Sequence, residues 1–487
     1  MNIIPCTGWV KRGVSARIPE KVQLTPAELQ TIIKQTQSEL QDAGSDSDEE
    51  TKSQTKPKFD ASNTDEYNFD KYDDESGSIH CNIGNIATFG KDGKDPLVTK
   101  DDDDSEKEDD TIKDDDNLVL VGHVEGDSSI LEVFVYNEAE GSFYCHHDIL
   151  LPSFPLCVEW LNYDPADSKP SNLCAIGNMT PIIEVWDLDV IDCLEPAYKL
   201  GSKPSKKKNL KRVGHKDAVL DLAWNENYVH VIASGSADRT VLLWDLENGT
   251  PVNKFAAFNE NVQSLAWHPQ ETHQLLTGSA DKVVRLFDCR YETIAKSWTA
   301  LGEVEKVLWN RFDPYYCLIS TDNGYIQYVD IRKDEPIWNS QAHTKEVTGL
   351  ALSSSCPGFL VSSANDGIIK VWDIIGIEPT LVWEKKSNLG SILCLASNPD
   401  NPFVFAGGGD NKSHNFKVFN FLDISDVRER FEDRKCNISK EGHDTGLHQS
   451  RENMMDVSED MKSMVLNTAE PSTSSKKKRN KRKGPRY

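Results

Sequence analysis

The sequence predicts an all-β protein: a seven-bladed β-propeller with a disordered acidic N-terminal region and a basic C-terminal tail. A phrase recurs, as SGSADRTVLLWD at 234–245, TGSADKVVRLFD at 277–288, STDNGYIQYVD at 320–330 and SSANDGIIKVWD at 362–373. Its closing acids Asp245, Asp288, Asp330 and Asp373 lie 43, 42 and 43 residues apart, the period of a four-stranded propeller blade. The net charge of −25 is segregated into acidic and basic blocks outside the repeats, where self-repulsion opposes folding.

Within each unit a hydrophobic run such as Val241–Trp244 follows a turn built from Asp, Arg or Gly, which reads as a buried strand entered through a tight turn. An Asp stands six residues before an aromatic each time: Asp238 with Trp244, Asp281 with Phe287, Asp322 with Tyr328, Asp366 with Trp372. This resembles the WD repeat, in which the turn Asp, a strand Ser or Thr, an upstream His and the strand Trp form a hydrogen-bonded column. Two units carry every member, His215, Ser234, Asp238 and Trp244, and His343, Ser362, Asp366 and Trp372; their expected role is structural. The unit ending at Asp288 has Thr277 and Asp281 but no His, and Phe for Trp, so packing is expected to replace the column.

Looser copies end at Val135–Asn137, Val185–Asp187 and Val418–Asn420, making seven marks between residues 118 and 421. A closed ring removes exposed strand edges. The first and last copies have nine residues from Asp127 to Tyr136 and from Asp410 to Phe419, which predicts longer turns there. Ile3–Val14 and Ile83–Phe89 are both candidates for the strand that latches the ring, and the sequence does not choose.

The expected organisation is an N-terminal segment (1–41) with a short amphipathic helix and a possible latch strand, an acidic linker (42–116), the propeller (117–421) and an exit helix with a disordered, basic-ended tail (422–487). In TPAELQTIIKQTQSEL, Thr25, Pro26 and Glu28 form a capping-box start, with Leu29, Ile32, Ile33 and Leu40 roughly on one face. Ser425 is read as the cap of an exit helix over Ser425–Lys435, with Asp426 four residues before Arg430.

Residues 101–116 hold eleven acidic and two basic side chains, and residues 42–50 five acidic and none basic. Ser45, Ser47, Ser105 and Thr111 each have an acid three residues later, a context for an acid-directed kinase that would recruit basic partners. The terminal run KKKRNKRKGPRY has eight basic side chains; its Lys476, Lys477, Lys478, Arg479, Lys481, Arg482 and Lys483 read as a nuclear localisation signal or nucleic-acid contact. A second run at 203–212 supplies Lys206, Lys207, Lys208, Lys211 and Arg212 as candidate contacts for RNA or an acidic partner, against a neutral loop insertion.

Eleven cysteines show no C-x-x-C pair and are expected to be reduced, buried and small. The N-terminus lacks a secretory pattern and no window spans a membrane, so a soluble intracellular protein is expected. There is no P-loop, no H-E-x-x-H, no nucleophile elbow and no Asp-rich calcium loop. His146 and His147 would face opposite sides of a strand, which disfavours joint metal binding. No enzyme activity, cofactor, metal or small-molecule substrate is expected.

The opening GWVKRGVSARIPEKVQLTPAELQTII, the acidic region, the first-blade segment LVLVGHVEGDSSILEVFVYN and the basic tail together resemble the periodic tryptophan protein 1 family over nearly the whole chain. The resemblance implies a nucleolar or nuclear scaffold in ribosome biogenesis: pre-ribosomal RNA processing, large-subunit assembly, and a link to ribosomal DNA chromatin and transcription. Its partners would be pre-ribosomal proteins and pre-ribosomal RNA. The alternative is a chromatin adaptor that binds histones through the propeller channel; a ubiquitin-ligase substrate receptor has no feature of its own here.

Overall fold

The computed structural model describes residues 2–22, 111–166, 170–204, 211–291 and 293–434. The chain divides into two units, Met1–Glu20 with Ile112–Tyr487, and Lys21–Thr111; the ring belongs to the first. The capping-box helix, Ile83–Phe89, Ser45, Ser47, Ser105, the acidic runs up to residue 110, Lys206–Lys208 and the terminal basic run lie outside the described residues.

Seven antiparallel sheets follow one another along the chain as blades. Blade 3 shows the pattern: Val219–Trp224, Val231–Ser236, Val241–Asp245 and Thr250–Phe255, paired in that order. Its second strand is buried throughout, because blades cover both of its faces, whereas its outer strand alternates between exposed and partly or fully covered residues. Blade 2 starts at Pro155, blade 4 at Val262, blade 5 at Val304, blade 6 at Gly349 and blade 7 at Ile392. Blade 7 has three strands among the described residues, ending with Phe416–Asn420.

The N-terminus supplies a strand to blade 1. Asn2–Val10 pairs antiparallel with Asn117–Glu125 and lies innermost, ahead of Ser128–Asn137 and Ser142–Leu151. It joins the two ends of the ring: the Trp9 indole donates to Ala396 O at 3.2 Å, the Cys394 thiol to Ile4 O at 3.4 Å, and the Arg12 amide to Asp400 Oδ2 at 2.9 Å. Asn117 donates to the same Asp400 oxygen at 2.6 Å. Phe134 and Phe416 stack across the seam at 5.8 Å.

Six inner strands carry a register irregularity at one equivalent position, occupied by Cys6, Cys157, Asp221, Ser264, Lys306 and Cys394. Glycine faces most of them. A Cβ on Gly122 would meet Cys6 Sγ at 2.5 Å, and one on Gly177 would meet Cys157 Sγ at 2.5 Å. These thiols therefore act as packing groups; burial pushes the Cys394 thiol up to about 12, far from thiolate chemistry. Cysteines resolved among the described residues are free.

Two details depart from expectation, in blade 1 and at its histidine pair, while blade 7 follows it. The turn of blade 1 is tight, Glu125 pairing with Ser128 around Gly126 at φ 61°; the extra residues lengthen the strand Ser128–Asn137 instead. In blade 7 the connection from Gly409 to Phe416 is long. His146 and His147 do not alternate: Val133 pairs with His147 and Phe134 with Cys145, so His146 is the extra residue of a bulge. Their Nδ1 atoms lie 2.9 Å apart. Burial, with the neighbouring His146, lowers the His147 imidazole to about 4.

The exit helix spans Ser425–Phe431 and Ser425 does not cap it; the N-cap is Ile424, without a side-chain bond. Val427 and Phe431 are buried, Phe431 meeting Phe359 edge-on at 4.7 Å. Arg430 is paired with Asp373 of the ring: its Nε donates to Asp373 Oδ2 at 2.8 Å, and Arg434 Nη1 to Asp373 Oδ1 at 3.0 Å. The closing acid of blade 6 thus anchors the segment that leaves the ring.

Candidate functional site

The polar groups singled out by the repeat lie between strands. In blade 3 His215 Nδ1 sits 3.3 Å from both Asp238 carboxylate oxygens, so it carries the proton, and Ser234 Oγ donates to Nε2 at 2.7 Å. The Trp244 indole donates to the same Ser234 oxygen at 2.8 Å. Asp238 also accepts from the Lys216 amide at 2.8 Å and from Thr240. Burial alone would raise this carboxyl, but the bonds from His215 and Thr240 outweigh it and hold it below the usual range.

Blade 6 repeats the column: His343 Nδ1 to Asp366 at 3.3 Å, Nε2 to Ser362 Oγ at 2.8 Å, Trp372 Nε1 to Ser362 Oγ at 2.9 Å. Burial lowers the His343 imidazole. Each member spends its hydrogen-bonding capacity on another, leaving no nucleophile or base facing solvent.

Blade 4 corrects the expectation that packing alone replaces its column. Phe258 stands where the histidine would be, 23 residues before Asp281, as His215 is before Asp238. Arg285 supplies the missing bonds: Nη1 to Asp281 Oδ1 at 3.0 Å and Nη2 to Oδ2 at 2.8 Å, with the guanidinium 5.0 Å over the Phe258 ring. Both charged side chains are under a tenth exposed. Phe255 and Phe258 pack on Phe287 at 4.7 and 5.7 Å.

In blade 5 the pairing of Asp322 with Tyr328 is one residue out of register with the other columns. The turn bond runs from the Gly324 amide to Thr321 O, as Arg239 to Ser236 in blade 3, so Asn323 and Val329 hold the places of Asp238 and Trp244. One residue of slip turns a strand side chain to the other face. Tyr328 accordingly stacks on Tyr316 and Trp338 in the core shared with blade 6, and its hydroxyl accepts from Asn310 at 2.9 Å.

The channel is lined by the inner strands. Asp221 accepts the Leu265 amide at 2.7 Å and pairs with Lys306 at 3.3 Å; Glu159 accepts the Trp224 amide at 3.0 Å, and burial pushes its carboxyl up to about 8. At the end of these strands a cavity of about 340 Å³ is bordered by Trp9, Trp160, Trp224, Lys11, Glu226 and Arg311. Neither this mouth nor the Arg285–Asp281 pair emerged from the sequence; an Arg four residues after the turn Asp, with an aromatic in the histidine's place, is the signal that would have found the latter.

At the rim between blades 2 and 3, Ser202 and Val213 form an isolated bridge from which the basic insert departs. Lys211 and Arg212 are exposed, and Arg212 Nη1 donates to His215 O and Lys216 O at 3.3 and 3.1 Å. Thr111 is half-buried. Among the described residues no group of three or more His, Cys, Asp or Glu could hold a metal ion, and no helix is long and apolar enough to cross a membrane.

Seven blades, two of them locked by the His-Ser-Asp-Trp column, define a WD-repeat β-propeller protein, and the WD domain, G-beta repeat model matches residues 207–245, 249–288, 334–373 and 380–413. The chain is 42% identical over 88% of its length to the periodic tryptophan protein 1 homolog of Drosophila melanogaster, covering 96% of that protein, and 31% identical over 90% of its length to periodic tryptophan protein 1 of Saccharomyces cerevisiae, covering 91%. A shorter stretch, 17% of the chain and 21% of the relative, is 29% identical to a ribosome biogenesis protein WDR12 homolog of Brugia malayi. The chain belongs to the periodic tryptophan protein 1 family.

Proposed function

We propose that this protein is a non-enzymatic scaffold of the nucleus and nucleolus that serves ribosome biogenesis, in pre-ribosomal RNA processing, large-subunit assembly and ribosomal DNA transcription. The near full-length similarity to periodic tryptophan protein 1 of fly and yeast carries the reading, and the partial likeness to a ribosome biogenesis protein supports it. The structure supports the scaffold part: polar side chains that could do chemistry are tied into the columns of blades 3, 4 and 6, and the ring presents loops on two faces and a channel mouth. Its partners are pre-ribosomal proteins and pre-ribosomal RNA, and the terminal run from Lys476 to Lys483 directs the chain to the nucleus. Gradient sedimentation of a tagged chain tests this. Co-migration with pre-ribosomal particles is expected to weaken as salt rises; sedimentation away from all such particles at both low and physiological salt overturns it.

A further inference from the structure

Two equivalent turns of the ring place a side chain at a backbone position that suits glycine. In the turn between the second and third strands, blades 5 and 6 place Gly324 and Gly367 at φ 88° and 76°, while blades 3 and 4 place Arg239 and Lys282 there, both at φ 65°. All four make the same turn bond, each amide donating to the carbonyl three residues back, at 3.0–3.2 Å. A left-handed conformation brings a Cβ close to the following carbonyl oxygen, so blades 3 and 4 carry local strain that blades 5 and 6 avoid. At both strained positions the side chain is long, cationic and exposed.

The neighbours are continuous with them. Lys216 donates its amide to Asp238, next to Arg239, and Arg212 is tied to Lys216 O. On the other side Arg239 reaches Glu260 at only 3.8 Å, with both side chains more than half exposed, a pair of little energetic weight. Asn259, beside Glu260, donates to Asp281, next to Lys282. Arg212, Lys216, Arg239 and Lys282 thus follow the rim of blades 3 and 4 as a row of exposed cations, in a chain whose net charge is −25.

We propose that this row binds the phosphate backbone of RNA, with Arg239 and Lys282 as two of the phosphate contacts. A row distributed over two blades matches the repeated charge of an extended polyanion better than a single carboxylate, and guanidinium and ammonium groups are the usual partners of phosphate. The inference rests on the reading of the protein as a pre-ribosomal factor, and names the face through which RNA is held.

The test uses the full chain, a fluorescein-labelled single-stranded RNA and a poly-glutamate peptide, with anisotropy measured across salt concentrations. Arg239→Gly with Lys282→Gly removes strain and charge together, so the melting temperature is expected to equal or exceed that of the unsubstituted protein while RNA binding weakens. Two lost single-strand phosphate contacts lower the salt slope by about 1.4, which is about 25-fold in affinity at 0.1 M relative to 1 M salt. Arg239→Lys with Lys282→Arg should restore binding. Unchanged RNA affinity and slope in the glycine variant overturns the proposal, as does a loss confined to poly-glutamate, which would make the rim an acidic-protein site. Particle sedimentation of the same variant separates the two readings: loss of RNA binding with retained co-migration upholds the rim and leaves particle association to protein contacts, whereas RNA binding without co-migration by the unsubstituted chain overturns the pre-ribosomal reading alone.

Discussion

Blades 3 and 4 sit side by side, share a turn geometry, and stabilise it by different chemistry. Blade 3 satisfies Asp238 with a histidine relayed through Ser234 to Trp244; blade 4 satisfies Asp281 with a guanidinium stacked on Phe258. The column divides its cost among several shared bonds, so each member matters moderately. The ion pair concentrates it, because two desolvated charges compensate one another and neither is tolerable alone. Equivalent positions in a repeat therefore carry unequal risk.

The largest effect is expected from Arg285→Ala, which strands a carboxylate in a site under a tenth exposed. A loss of about 3–5 kcal/mol follows, read as a lowered midpoint in urea; a loss under about 1 kcal/mol would show that Asp281 finds other partners. Ser234→Ala in blade 3 removes the oxygen shared by His215 and Trp244 and should cost about 1–3 kcal/mol. A cost equal to that of Arg285→Ala would dissolve the distinction between the two devices.

Acid sharpens the comparison further. The folded His343 imidazole is lowered by burial from 6.5, so its contribution is full above the unfolded value and is lost as pH falls below about 6.5. The Asp281 carboxyl is also lowered, burial being outweighed by Arg285; its contribution is lost only as pH falls through and below the carboxylate range near 3.8. Urea midpoints of His343→Gln should therefore fall less steeply between pH 6.5 and 5 than those of the unsubstituted chain, and parallel curves would refute this. The smallest effect belongs to Arg239→Gly or Lys282→Gly taken singly: relief of about 1–2 kcal/mol, offset by about 0.5–1 of glycine's chain entropy, leaves a gain of about 0–1.5 kcal/mol.

Much of the ring was legible because its signals are local and repeat. The turn Asp, strand Ser and strand Trp of blades 3 and 6 stand at fixed separations, and the folded chain brings His215 and His343 to them. Blade 5 misled for the same reason: Asp322 and Tyr328 satisfy the six-residue spacing, yet Gly324 sets the turn one residue later. The bulge that brings His146 onto His147 is invisible to a period of two, since a bulge is a property of two strands together. Arg285 lies within a strand pattern that by itself names no partner, and only the fold sets Asp281 and Phe258 around it.

By itself the sequence determined the repeat, its period and the number of blades, because strand alternation and turn chemistry act over a few residues and recur. Only the tertiary structure decided that Asn2–Val10 becomes the inner strand of blade 1, against a partner that begins at Asn117, and that Arg430 and Arg434 close on Asp373. Such contacts join segments separated by tens to hundreds of residues. Their selection depends on which strand edge and which buried charge remain unsatisfied once the ring has formed, and no local pattern encodes that.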